Sequence, residues 1–135
     1  MTIELALDRT AAVAQTVHIR SHELLADVSP DNGGADSGPS PHDLYDAALG
    51  ACKALAVVRY ARKNGIDVND VQTSVERDDS ARNDGVYRLA ATVKVHGELT
   101  DAQLQELRSV AQQCPLDQLM SSGMTEITTE VERMA

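Results

Sequence analysis

The chain has 135 residues, a formal net charge of −9, and neither Phe nor Trp, which fits one domain over residues 1–135 whose small core favours a symmetric dimer. No Lys/Arg cluster offers the basic patch of a nucleic-acid binder. The one long apolar run, residues 44–61, carries Asp46, Lys53 and Arg59, which argues against a membrane span.

The N-terminal stretch MTIELALDRT holds Glu4 and Asp8 within ten residues, unlike a secretory signal. A cytoplasmic, reducing setting is therefore expected, with Cys52 and Cys114 as free thiols rather than a structural disulfide. Residues 1–29 read as extended. Ile3, Leu5 and Leu7 alternate with polar or small neighbours, and TVHIR (16–20) and LLADV (24–28) fit two further strands with Ser21-His22-Glu23 near the turn. PDNGGADSGP (30–39) is a loop by composition. It lacks the closing Glu of a calcium loop, that position being His42, and has no GK[ST] for phosphate.

A long helix follows over 41–64. Ser40 suits its N-cap, Pro41 its first position and Asp43 its positive end, while Arg62, Lys63 and Gly65 mark its stop. VQTSVER (71–77) and VYRLAATVKVH (86–96) alternate as two strands around the polar hairpin loop DDSARNDG. A capping box, Thr100 with Gln103, opens a second helix. Pro115 must end that helix near Cys114 and can start a short one over 115–122. EITTEVE (126–132) reads as a final alternating strand. Strands, long helix, strands, helix and strand together make an α+β layout with antiparallel sheets.

The long helix is apolar on most sides. Leu44, Leu49, Leu55, Val57, Val58 and Tyr60 point in several directions, and Ala and Gly fill much of the rest. A helix of that kind should be covered on most sides, and a second copy of the chain is the natural cover. Cys52 sits within it, where the plain reading is a buried, inert thiol. Helical geometry makes Arg59 the nearby cation on the Cys52 face and turns Lys53 away. Cys114 stands at a helix junction, where free N–H groups can stabilise a thiolate, and Asp117 beside it would oppose one. His18 and His22 lie in strand and turn, so no shared metal is expected, and no cofactor motif is present.

The motifs GGxDxGPSPxxLxxAALGAC (Gly33 to Cys52), YARKNGI (Tyr60 to Ile66) and the Cys114-Pro115 pair resemble those of the OsmC/Ohr family, the osmotically inducible and organic hydroperoxide resistance proteins. The resemblance covers about residues 16–133. It implies an OsmC-like fold with antiparallel sheets around a long buried central helix, in an intertwined homodimer. It also implies a thiol-dependent peroxidase without a cofactor. Cys52 would attack an organic hydroperoxide and become a sulfenic acid, Cys114 would condense with it to a disulfide, and a dithiol such as a lipoyl group would reduce the pair. Peroxidase members carry a Glu after the Pro that opens the helix, paired with an Arg from the N-terminal strands. Here His42 stands at that position with Asp43 next to it, and Arg9 and Arg20 are the candidate arginines. The departures at His42 and Asp117 keep a second reading open, a non-enzymatic ligand-binding or redox-sensing dimer.

Overall fold

A computed structural model describes residues 1–134. The chain divides into two compact units, residues 1–48 and residues from Leu49 onward. The first unit is a three-stranded antiparallel sheet of β1 (Ile3–Leu7), β2 (Gln15–Ile19) and β3 (His22–Ala26) in that spatial order. Leu5 pairs with Val17 and Val17 with Leu24. Ala14, Val17 and Ala26 are buried. The hairpin between β2 and β3 closes on Arg20 and Ser21 alone, with Ile19 opposite His22 and Arg20 at φ 55°. His22 and Glu23, expected near the turn, are thus the first residues of β3.

The segment after β3 folds around one side chain. Asp27 is 4% exposed. It accepts hydrogen bonds from the N–H groups of Val28, Ala35 and Ser37 and from the Ser37 hydroxyl, at 2.8, 3.2, 3.1 and 2.6 Å. Four donors to one carboxylate favour its charged form, and they hold the Asp27 carboxyl down at about 2, the Ser37 hydroxyl contributing most. Gly34 lies so close that a Cβ there would fall 2.2 Å from the Val28 carbonyl oxygen, so only glycine fits.

The long helix, α1, runs over Pro41–Lys63. Ser40 caps its start as expected, the Asp43 N–H donating to Ser40 Oγ at 3.1 Å, and Asp43 goes beyond its expected place at the positive end by accepting the Ser40 N–H on Oδ2 at 3.0 Å. Gly65, at φ 65°, lies just past its end. Leu49, Lys53, Val57 and Ala61 form its buried stripe from Leu49 onward, while Leu55 on another side is 61% exposed.

In the second unit, β4 (Asp70–Asp78) and β5 (Arg88–His96) form an antiparallel ribbon, with Val71 opposite Val95 and Val75 opposite Ala91. Then come α2 (Asp101–Gln112) and α3 (Pro115–Ser121). Both halves of the Thr100–Gln103 capping box are made. Val57, Ala61, Ile66 and Leu107 are the core, with Val93, Val95, Leu99 and Ala111 packed against them. The mixed α+β class and its antiparallel sheets are as expected.

The final strand is not. Residues 126–132 carry no strand, and Ile127 and Val131 are 79% and 95% exposed. Alternation gives this segment the capacity to lie on a sheet. A strand also needs a neighbouring edge to take its N–H and C=O groups, and no edge pairs with it among the described residues. No helix among those residues is long and apolar enough to cross a membrane.

Candidate functional site

The two cysteines meet in the second unit. Cys52 lies on α1 between the buried positions Leu49, Lys53 and Val57, and is itself half-buried; Cys114, in the break between α2 and α3, is 1% exposed. Both are free thiols, and they are near enough that Cys52 acts on the protonation of the Cys114 thiol.

Pro115 builds that break. A proline pushes the residue before it out of the helical region, and Cys114 is extended, at φ −62° and ψ 144°. The Gln113 N–H closes α2 on the carbonyls of Ser109 and Val110, at 3.1 and 3.3 Å. The Gln118 N–H then opens α3 on the Cys114 carbonyl, at 3.3 Å. Cys114 therefore caps the start of α3, as its place before Pro115 implies.

Opposing influences act on the Cys114 thiol. Burial pushes its pKa up most strongly, and contact with Cys52 adds to that; the Asp117 N–H and the Lys53 charge pull it down. The net effect is upward, so Cys114 is a protonated thiol at neutral pH.

Lys53 corrects two expectations. It does not turn away from the chemistry: its side chain is 10% exposed. Its ammonium donates to Asp117 Oδ2 at 2.6 Å and to the Ala111 carbonyl at 2.8 Å. Nor does Asp117 act as a bare negative charge against Cys114. Its carboxyl is held below its ordinary range, first by the Lys53 hydrogen bond and then by the Lys53 charge and Ser121, against a desolvation cost. The carboxylate is thus spent on Lys53, and the Asp117 backbone N–H favours the thiolate. A one-residue step along a helix correctly separates positions 52 and 53 by about 100°. It does not say that α2 and α3 straddle the angle between them.

The other candidates lie in the first unit. His42 and Asp43 are exposed in the first turn of α1, and the Asp43 carboxylate takes part in the cap with Ser40. Arg9 follows β1, and Arg20, in the hairpin turn, places Nη1 3.9 Å from Met1 Sδ. A groove of about 570 Å³ between α1, β5 and α2 is lined by Lys53, Val57, Val93, Leu104, Leu107 and Ala111 among others, and by neither cysteine.

The chain is thus an α+β protein with antiparallel sheets and two free thiols in its second unit, one on a long helix and one before a proline. Residues 33–130 match the model of the OsmC-like protein family, and the chain belongs to that family. Solved structures share the fold at low identity. A Psychrobacter arcticus 273-4 protein assigned to osmotic stress induction and detoxification response is 21% identical over 91% of this chain and 90% of its own, with a TM-score of 0.75. The OsmC like protein from Mycoplasma pneumoniae is 18% identical over 90% and 86%, with a TM-score of 0.72. An organic hydroperoxide resistance protein OsmC from Legionella pneumophila is 18% identical over 90% and 89%, with a TM-score of 0.64. No curated protein matches the chain by sequence.

Proposed function

We propose that this protein is a thiol-dependent peroxidase that reduces organic hydroperoxides through a two-cysteine cycle. The observation that carries the reading is the proximity of Cys52 and Cys114, which come from separate helical segments of one unit and lie near enough for Cys52 to act on the protonation of Cys114. Membership of the OsmC-like family and the fold shared with the Legionella organic hydroperoxide resistance protein support it.

Cys52 is the more accessible of the two and is assigned the attack. Its thiolate attacks the outer, hydrogen-bearing oxygen of the hydroperoxide: an S–O bond forms, the O–O bond breaks, and the departing alkoxide takes up the proton that Cys52 released on ionising, leaving an alcohol and Cys52 sulfenic acid. Cys114 then gives up its proton and attacks the sulfenic sulfur as a thiolate. The S–S bond forms, the S–O bond breaks, and the hydroxyl leaves with the Cys114 proton as water. A dithiol such as a lipoyl group returns both thiols by exchange. The protonated state of Cys114 suits a resolving thiol held in reserve, because only the deprotonated form is the nucleophile at rest.

The working form in this reading is a homodimer in the reducing cytoplasm. Leu55 and Tyr45 on α1, Leu5 and Leu7 on β1, and Ile127 and Val131 near the C-terminus are all exposed. Each unit thus leaves large apolar side chains exposed, which favours a partner that covers them, and a second copy is the simplest partner.

Purified protein supplied with cumene hydroperoxide and dihydrolipoamide should consume the peroxide catalytically, and Cys52→Ser should abolish turnover. Undiminished turnover in Cys52→Ser would sink the assignment. If neither thiol reacts with a hydroperoxide, the non-enzymatic ligand-binding reading takes its place.

A further inference from the structure

We propose that Lys53 is a positioning residue for disulfide formation between Cys52 and Cys114, clamping both sides of the break that carries Cys114. The proposal rests on the two-cysteine reading above and adds the device that sets its second step.

The need for a clamp follows from the backbone. In an α-helix the carbonyl of residue 111 accepts from the N–H of residue 115. Residue 115 is Pro, which has no N–H. The same proline that frees Cys114 from the helix thus leaves the Ala111 carbonyl without its normal donor, in a half-buried place where an unmet acceptor is costly. The Lys53 ammonium supplies that donor at 2.8 Å. With a second bond it holds Asp117 Oδ2 at 2.6 Å.

Ala111 lies three residues before Cys114 and Asp117 three residues after it. One ammonium therefore grips the last turn of α2 and the first turn of α3, with the reactive residue between them. The Asp117 end is braced in turn, because Ser121 Oγ donates to the Asp117 carbonyl at 2.6 Å and to Oδ1 at 3.3 Å. The clamp is rooted next to the other sulfur, since Lys53 follows Cys52 directly on α1.

A disulfide forms only when two Cα atoms lie within about 7 Å and the side chains face each other. The angle between α2 and α3 decides whether Cys114 meets that condition. A single hinge residue before a proline does not hold such an angle by itself, whereas a charge-assisted bond on each side does. Lys53 touches neither a peroxide nor the reacting oxygen in this scheme. It acts through the geometry of Cys114.

The test uses glutathione redox buffers at pH 7, with the intramolecular Cys52–Cys114 disulfide read by mass spectrometry after acid quench. Its readout is the effective concentration of one thiol at the other. Lys53→Met should lower that value about tenfold, equivalent to a potential about 30 mV less reducing. Lys53→Arg keeps the charge and several donors, so it should recover the value to within about threefold of wild type. Asp117→Asn leaves Lys53 in place and carries the test should Lys53→Met fail to fold; its value should drop about threefold, one charged bond being weakened. An effective concentration within about twofold of wild type, in folded Lys53→Met or otherwise in Asp117→Asn, overturns the proposal, on the same scale of about tenfold per lost charged bond. Glutathione exchange needs no hydroperoxide. A chain inert to hydroperoxides but sensitive to Lys53→Met refutes the peroxidase reading and supports the clamp, and the converse result does the opposite.

Discussion

Gly50 sets how closely α1 approaches the sheet two residues before Cys52, and Gly50→Ala weighs two effects of opposite sign. In a helix interior, Ala is favoured over Gly by about 1 kcal/mol. An exposed glycine would therefore be stabilised by the change. Gly50 is buried, however, and a Cβ built there falls 2.9 Å from Val75 Cγ2 and 3.7 Å from Thr73 Cγ2. The shorter distance is roughly 1 Å inside the optimum for two carbons. Valine is stiff about χ1, so Val75 cannot swing its methyl away, and α1 or β4 must shift instead. Overpacking of that kind costs about 1–3 kcal/mol. The balance is a net loss of about 1 kcal/mol, or about 3–4 °C in Tm for a chain of this length. Urea and thermal unfolding followed by circular dichroism would measure it. Adding Val75→Ala removes the clashing methyl, so the double variant should show a favourable coupling of about 1 kcal/mol relative to the two singles. A Gly50→Ala variant as stable as wild type, or more so, refutes the argument that α1 is held against β4 by the missing side chain.

Thr73 is the second pressure point in the same contact. Its hydroxyl is buried and has no hydrogen-bond partner among the described residues. Thr73→Val keeps the shape and removes the unmet group, so it should stabilise by about 1 kcal/mol in urea unfolding. Asp27 governs the acid limb. Its carboxyl sits at about 2 when folded against an ordinary 3.8. Its contribution is therefore fully present above pH 3.8 and is lost as pH falls toward 2. Asp27→Asn should be less stable than wild type at pH 7, with the gap closing between pH 4 and pH 2; a gap that stays constant over that range counts against the four-donor account.

Much of this protein is legible as local chemistry. Ser40 with Asp43 and Thr100 with Gln103 form their caps because each needs only neighbours three residues away. Gly65 and Pro115 end or break helices through their own backbones. The alternation over 71–77 and 86–96 sets which side chains share a face of the β4–β5 ribbon. Even the family follows from contiguous motifs, GGADSGPSP through AALGAC above all.

Other features depend on what is brought close from far along the chain. Asp27 gives no local sign that it will gather Ala35 and Ser37. Residues 126–132 alternate as a strand should, yet strand formation is a property of two edges rather than one. Lys53 is the sharpest case. Its helical position says which way it leaves α1, and nothing in its neighbourhood says what stands there. The partner is created by a missing N–H at residue 115, far away in sequence, and by a carboxylate three residues past the second cysteine. The chain's local order thus supplies the two sulfurs and the proline. The tertiary fold supplies the partners of Lys53, the Ala111 carbonyl and the Asp117 carboxylate, because electrostatic and hydrogen-bond partners are chosen by distance in space and not along the chain.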